Sequence, residues 1–465
     1  MVLILNSLLA FYLAWNLGAN DVANSMGTSV GAKAISLKQA LIIAGILEFT
    51  GAVLFGHQVS RTLASQIIHP ADFAQAPQVM LLGMMSVLLA CGIWMNVATA
   101  WGLPVSSSHA IVGALAGFAW VAMGATAVNW STIRLITLTW IATPIVSGAI
   151  SALFYYPIQR WILHHPHPLV QLREWIPWLS AALVSLFGTI VFPTLAQPIQ
   201  LFLKQQWHWV IPAHDVSLTI GAIGVAALTL VSWQQLEGGW REWGVGRGES
   251  EVGSRESGVR SQEPVPSSPL SPLPSLPHPS IPPSPHFPHS PLPLLPLEQH
   301  LARFQVISAC FVAFAHGSND VGNAVAPLAA IVHIQQTGEV ALTYFPVPLW
   351  VLMLGGAGIV AGLAVWGKKV IATVGEGIIP LQPSAGFCAE LATATTVLLA
   401  SRLGLPVSTS HALVGGVVGV GLMQGFSTVR FKTVGQIALA WGVTIPMAVG
   451  LAAGIFAIAR SSLGL

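Results

Sequence analysis

Charge is what this chain has least of. Asp, Glu, Lys and Arg make up 7% of its 465 residues, where a soluble globular protein carries about 25%. So few charges cannot cover a water-facing surface of this size, and a soluble globular fold is excluded. Aspartate is scarcer still, with four in the whole chain: Asp21, Asp72, Asp215 and Asp320. The three cysteines, Cys91, Cys310 and Cys388, lie in apolar segments without paired spacing. That argues against a disulfide framework or a zinc site. A formal net charge of +2 leaves no basic face for nucleic acid. No G-x-x-x-x-G-K-[ST] run is present, so the sequence offers no nucleotide-driven engine and no cofactor. Nor does any nucleophile–base pair suggest an enzyme.

What is there is apolar. Hydrophobic residues make up 54%, mean hydropathy is +0.72, and glycine occurs 45 times. These values predict an all-α polytopic membrane protein. Twelve segments are apolar enough to lie in the membrane, at about 1–16, 37–59, 79–97, 107–128, 132–157, 174–192, 216–232, 303–317, 348–367, 386–401, 408–424 and 433–459. The shorter ones are candidates for broken helices or re-entrant hairpins. The first lacks a basic leader and reads as a span rather than a cleaved signal. Between the seventh and eighth segments the composition changes. Residues 237–263 hold ten charges and residues 264–297 hold 14 prolines. This stretch reads as an extended linker outside the membrane, with a protein-binding tether as the alternative.

The linker separates two related halves. G-A-N-D-V-A-N-S at Gly18–Ser25 is answered by G-S-N-D-V-G-N-A at Gly317–Ala324. G-L-P-V-S-S-S-H at Gly102–His109 is answered by G-L-P-V-S-T-S-H at Gly404–His411. Asp21 precedes Pro104 by 83 residues and Asp320 precedes Pro406 by 86. Two matches in the same order at nearly the same spacing are an internal repeat. The expected organisation is a first repeat at 1–157, two further segments within 158–236, the linker at 237–302 and a second repeat at 303–465. Seven segments precede the second copy. The odd number predicts that the copies enter the membrane from opposite faces, the inverted-repeat plan of secondary transporters.

The repeated motifs carry the chemistry. A carboxylate at membrane depth is costly and usually functional, and its cheapest partner is a cation. Asp21 is bracketed by Asn20 and Asn24, and Asp320 by Asn319 and Asn323. Ser25, Thr28 and Ser29 add hydroxyls. Such an oxygen-rich set suits an alkali cation better than zinc or copper. Nearby glycines, Gly18, Gly27, Gly31, Gly317 and Gly322, would let the helix break and free backbone groups for ions. The bland reading makes these Asn and Asp surface helix caps. In the second motif, Pro104 and Pro406 can open a helix. Ser106, Ser107 and Ser108, with Ser408, Thr409 and Ser410, then sit at a helix start, which favours an anion. Here the alternative is ordinary solvent-facing caps. His109 and His411 read first as packing residues. Glu48 and Glu390 lie inside apolar segments and need partners there. They are candidates for a cation ligand or a proton carrier, with Thr393 one turn from Glu390.

These motifs resemble the PiT family of inorganic phosphate transporters. The resemblance covers both copies, about 300 residues, and leaves out the linker. It implies inward movement of phosphate with Na⁺ or H⁺ through an inverted-repeat membrane protein, usually a homodimer, placed in the cell (inner) membrane. The family's paired Asp fall on Asp21 and Asp320, where Na⁺ is expected, and its paired Glu on Glu48 and Glu390. Phosphate is expected at Ser25, Thr28, Ser106, Ser107, Ser108, Asn323, Ser408, Thr409 and Ser410. Cations are expected at Asn20, Asp21, Asn24, Glu48, Asn319, Asp320, Asn323, Glu390 and Thr393. Gly322 stands where the first copy has Ala23. Hydroxyl and amide donors alone leave sulfate, or another tetrahedral oxyanion, as the alternative cargo.

Overall fold

The computed structural model describes residues 2–207, 212–242, 296–342, 346–375 and 378–464. The described residues form thirteen α-helices and no sheet. In chain order these are α1 (Val2–Gly31), α2 (Leu37–Phe55), α3 (His57–Ser65), α4 (Pro77–Ala100), α5 (Ser107–Met123), α6 (Trp130–Pro157) and α7 (Pro168–Trp207). Then follow α8 (Ala213–Glu242), α9 (Pro296–Thr337), α10 (Leu349–Gly375), α11 (Pro383–Arg402), α12 (Thr409–Gln424) and α13 (Phe431–Leu463). Most of the expected linker lies outside the described residues. Its two ends, at Glu237–Glu242 and Pro296–Ala302, belong to α8 and α9.

Each of the twelve apolar segments falls on a helix, yet fewer are long enough to cross a membrane. Among the described residues nine helices pass on length and composition, and a tenth does if the bent α7 is one span. The bend, 46°, lies between Pro168–Ser185 and Phe187–Thr194. The two that fall short of a full span are α5 and α12. With 17 and 16 residues they extend roughly 25 Å, short of a hydrocarbon core of about 30 Å.

The two copies pack through each other rather than side by side. α1 lies along α10, and its repeat counterpart α9 lies along α2. Likewise α5 packs on α13 and α12 on α6. Directions follow from close glycine contacts. Gly358 faces Ala14, Gly362 faces Trp15 and Gly367 faces Val22, so α10 runs parallel to α1. Gly317 faces Glu48 and Gly322 faces Val59, so the α2–α3 segment runs parallel to α9. Gly45 meets Val360 while Gly356 meets Phe49 and Ala52, so α2 and α10 are antiparallel. Then α9 runs opposite to α1. These symmetric contacts are consistent with copies inserted from opposite faces.

The expected break at the Asp-bearing glycines does not occur. α1 continues through Asp21 to Gly31, and α9 through Asp320 to Thr337. Gly18 and Gly317 serve packing instead: a side chain on Gly18 would run into the Ile359 backbone carbonyl, and one on Gly317 into that of Glu48. The breaks come before the serine triplets. Leu103 N–H donates to the Ala98 carbonyl and Gly102 N–H to that of Thr99. The matching bonds run from Leu405 to Ala400 and from Gly404 to Ser401. This termination needs a left-handed residue, and Gly102 (φ 67°) and Gly404 (φ 69°) supply it.

Gly18→Ala and Gly317→Ala are each expected to lower stability by about 1–3 kcal/mol or more. Unfolding of the detergent-solubilised protein, followed by tryptophan fluorescence, checks this. Deleting residues 264–295, which keeps α9 whole, should leave the unfolding midpoint unchanged.

Candidate functional site

The second motif is tied to the first by side-chain bonds that repeat in both copies. Asn20 Nδ2 donates to Thr99 Oγ1 (3.1 Å) and the Leu103 carbonyl (3.0 Å). Asn319 Nδ2 donates to Ser401 Oγ (2.9 Å) and the Leu405 carbonyl (3.3 Å). Each Asn thus holds the turn that ends one helix and aims the start of the next. Ser106 and Ser408 are the N-caps of α5 and α12, accepting from the His109 and His411 amides at 3.3 Å. His109 Nδ1 lies 3.2 Å from the Trp441 carbonyl, and His411 Nδ1 lies 3.0 Å from that of Trp140. Each imidazole packs on a Trp ring of its own copy, His109 on Trp140 and His411 on Trp441, while its Nδ1 reaches the Trp carbonyl of the opposite copy.

The helix starts converge on a buried acidic centre. Asp21, Asp320 and Glu48 are each no more than 2% exposed. Ligand atoms of Asp21, His316 and Asp320 all lie within 4.8 Å of one another. His316 is the residue that sequence reasoning missed. Its Nε2 is 3.1 Å from Asp320 Oδ2 and 4.0 Å from Asp21 Oδ2, and its Nδ1 is 3.2 Å from Glu48 Oε2. A signal existed: His316 sits four residues before Asp320 within an apolar run, hence on the same helix face. Ser107 Oγ donates to Asp320 Oδ2 at 3.2 Å, and Thr409 Oγ1 to Asp320 Oδ1 at 3.5 Å, the limit of such a bond. Asn24 Nδ2 donates to Asp21 Oδ1, and Ser25 Oγ to Glu48 Oε1.

Glu390 forms a second centre. Its Oε1 accepts from Thr28 (2.5 Å), Ser29 (2.7 Å) and Gln305 Nε2 (3.3 Å), and its Oε2 from Ser308 (2.7 Å). Thr28 and Ser29 belong to the other copy, 362 and 361 residues away. Thus α1 links the two centres: Asp21 and Ser25 serve the first, Thr28 and Ser29 the second.

Several of the expected residues bond to protein groups. Ser25 and Thr28, expected at phosphate, donate to carboxylates. Thr393 donates to the Ala389 carbonyl and has no bond to Glu390 among those described. Ser108 donates to the Val407 carbonyl, and Ser410 shares a hydrogen bond with Ser408. Asp21 Oδ2, Asn20 Oδ1, Asn319 Oδ1 and both polar atoms of Asn323 are buried without a protein hydrogen-bond partner. Buried polar groups are rarely left so. The donor set therefore fits a small ion bound by oxygens.

Comparison with known proteins shows the family. The model of the phosphate transporter family matches residues 17–452. The chain belongs to that family. It is 38% identical over 447 residues to the inorganic phosphate transporter 2-1, chloroplastic, of Arabidopsis thaliana, covering 96% of this chain and 70% of that one. Its fold is similar to a solved structure described as the sodium-dependent phosphate transporter, with TM-score 0.76, 33% identity and 99% of each chain covered.

Asn20→Ala and Asn319→Ala should each cost about 1–3 kcal/mol, because each leaves a part-buried carbonyl, of Leu103 or Leu405, without its side-chain donor. Denaturant titration of the two variants checks this. Similar losses are expected; a loss in one alone would break the equivalence of the clasps.

Proposed function

We propose that this phosphate transporter family member carries inorganic phosphate across the membrane in symport with a cation, with sodium as the ion its side chains suit best. The observation that carries the reading is the buried group of Asp21, Asp320 and Glu48 beside two helix starts. A phosphate anion cannot share a dry pocket with bare carboxylates. Cations must first neutralise Asp21 and Asp320, and phosphate then meets the Ser107 and Thr409 hydroxyls and the amides of α5 and α12. Binding of either ion favours the other, which is coupling by linkage. Serine hydroxyls and Asn323 complete the anion's surroundings in this reading, while Asn20, Asn24, Asn319 and the Glu390 centre serve cations. The inverted-repeat plan supplies alternating access. Assembly as a homodimer in the cell membrane completes the proposal and rests on the family resemblance.

Proton coupling is a second reading, favoured by His316 between the carboxylates. Imidazole exchanges protons near neutral pH in ordinary surroundings. Uptake of labelled phosphate into proteoliposomes, with sodium and pH gradients imposed separately, decides between them. Sodium-driven uptake is expected. Asp21→Asn and Asp320→Asn should each reduce it at least about tenfold, the scale of a coupling free energy near 1.4 kcal/mol, with membrane insertion unchanged. Uptake indifferent to both gradients would end the proposal. Sulfate in excess should leave phosphate uptake intact, and full competition would favour a general oxyanion carrier.

A further inference from the structure

A polar cavity of about 430 Å³ lies at the N-terminal end of α9, lined by Tyr155, Gln159, His164, Glu298, Gln382 and Gln424 among others. Glu298 is its acidic side chain. The carboxylate is 4% exposed and is fixed at the start of α11, accepting from Ser384 N at 2.9 Å and Ser384 Oγ at 2.8 Å. None of the groups that serve the two buried centres lines this cavity.

The cavity and the Glu390 centre are joined by the same two helices. Seven residues separate Glu298 from Gln305 on α9, and six separate Ser384 from Glu390 on α11. Each is a rise of roughly 10 Å. Gln305 sits between. Its Nε2 donates to Glu390, and its side chain lies against Gly386, where a β-carbon would collide with the amide. Its Oε1 is buried with no protein hydrogen-bond partner. One polar row on α9 therefore leads from Glu298 through Gln305 and Ser308 to Glu390. From there Thr28 and Ser29 lead along α1 to Ser25 and Asp21.

We propose that the cavity beside Glu298 is an outer binding site for the coupling cation, from which the ion passes over the Gln305 amide to Glu390. The proposal rests on the cation-symport reading above. Glu298 raises the local concentration of monovalent cations, as a cleft carrying charge of one sign does. The unused Gln305 oxygen provides the intermediate ligand. Tyr155, Gln159, Gln382 and Gln424 offer neutral oxygens and no fixed positive charge to oppose the ion.

The test is sodium-dependent phosphate transport in proteoliposomes, with sodium titrated separately on each face of the membrane. Glu298→Gln is expected to raise the half-saturating sodium concentration at least about threefold from one face only. The opposite face and the rate at saturating sodium should be unchanged. Gln382→Glu, which adds a carboxylate to the lining, should lower half-saturating sodium from that same face, an effect that misfolding cannot produce. No shift in either variant, or equal shifts from both faces, would overturn the proposal. Wild-type transport that ignores sodium on both faces would instead sink the symport reading itself, and this site with it. Loss of sodium dependence in Glu390→Gln combined with unaltered Glu298→Gln would leave symport standing and remove only the outer site.

Discussion

Three buried carboxylates facing one another cannot all be charged unless positive charge lies among them. That constraint organises the centre of this protein. Asp21, Asp320 and Glu48 surround His316, and the helices that carry them are brought together by the crossing of the two copies. Glycines let the helix backbones touch: Gly317 abuts the Glu48 carbonyl and Gly18 the Ile359 carbonyl. Under the proposed function, ions neutralise these acids, and this makes binding of a cation and an anion interdependent.

The hydroxyls and helix starts are subordinate to the same design. Asn20 and Asn319 do not simply flank the acids. Each reaches the turn before a serine triplet and fixes where that helix begins. The buried carboxylate and the helix start are therefore positioned by adjacent residues of one motif.

Much of this was legible in the sequence. The duplicated N-D-x-x-N and P-V-S-[ST]-S-H motifs carried the repeat, the acidic pair and the second helix start. The scarcity of Asp pointed to the two that lie in the buried centre. Other features depended on contacts that no local pattern encodes. Gly18 and Gly317 looked like helix breakers because glycine is weak within a helix; tertiary close packing uses them instead. Thr28 and Ser29 meet Glu390 across 362 and 361 residues, so their role could not be read from spacing. α5 and α12 had the composition of spans but begin inside the protein, and so are too short. His316 had a readable relation to Asp320, but its contact with Glu48 exists only because α2 lies along α9.

The copies agree in scaffold and differ in charge. His316 corresponds to Leu17 by the register of the two N-D motifs, and Glu390 to Leu88 by that of the two prolines. Glu48 corresponds to Ile359 by the matching glycine contacts. A protein assembled from two identical halves of either kind could therefore close the same helical frame and still lack part of its ionic core. The departure from symmetry leaves the two sides of the frame electrically unequal, with the imidazole and one acid contributed by a single copy.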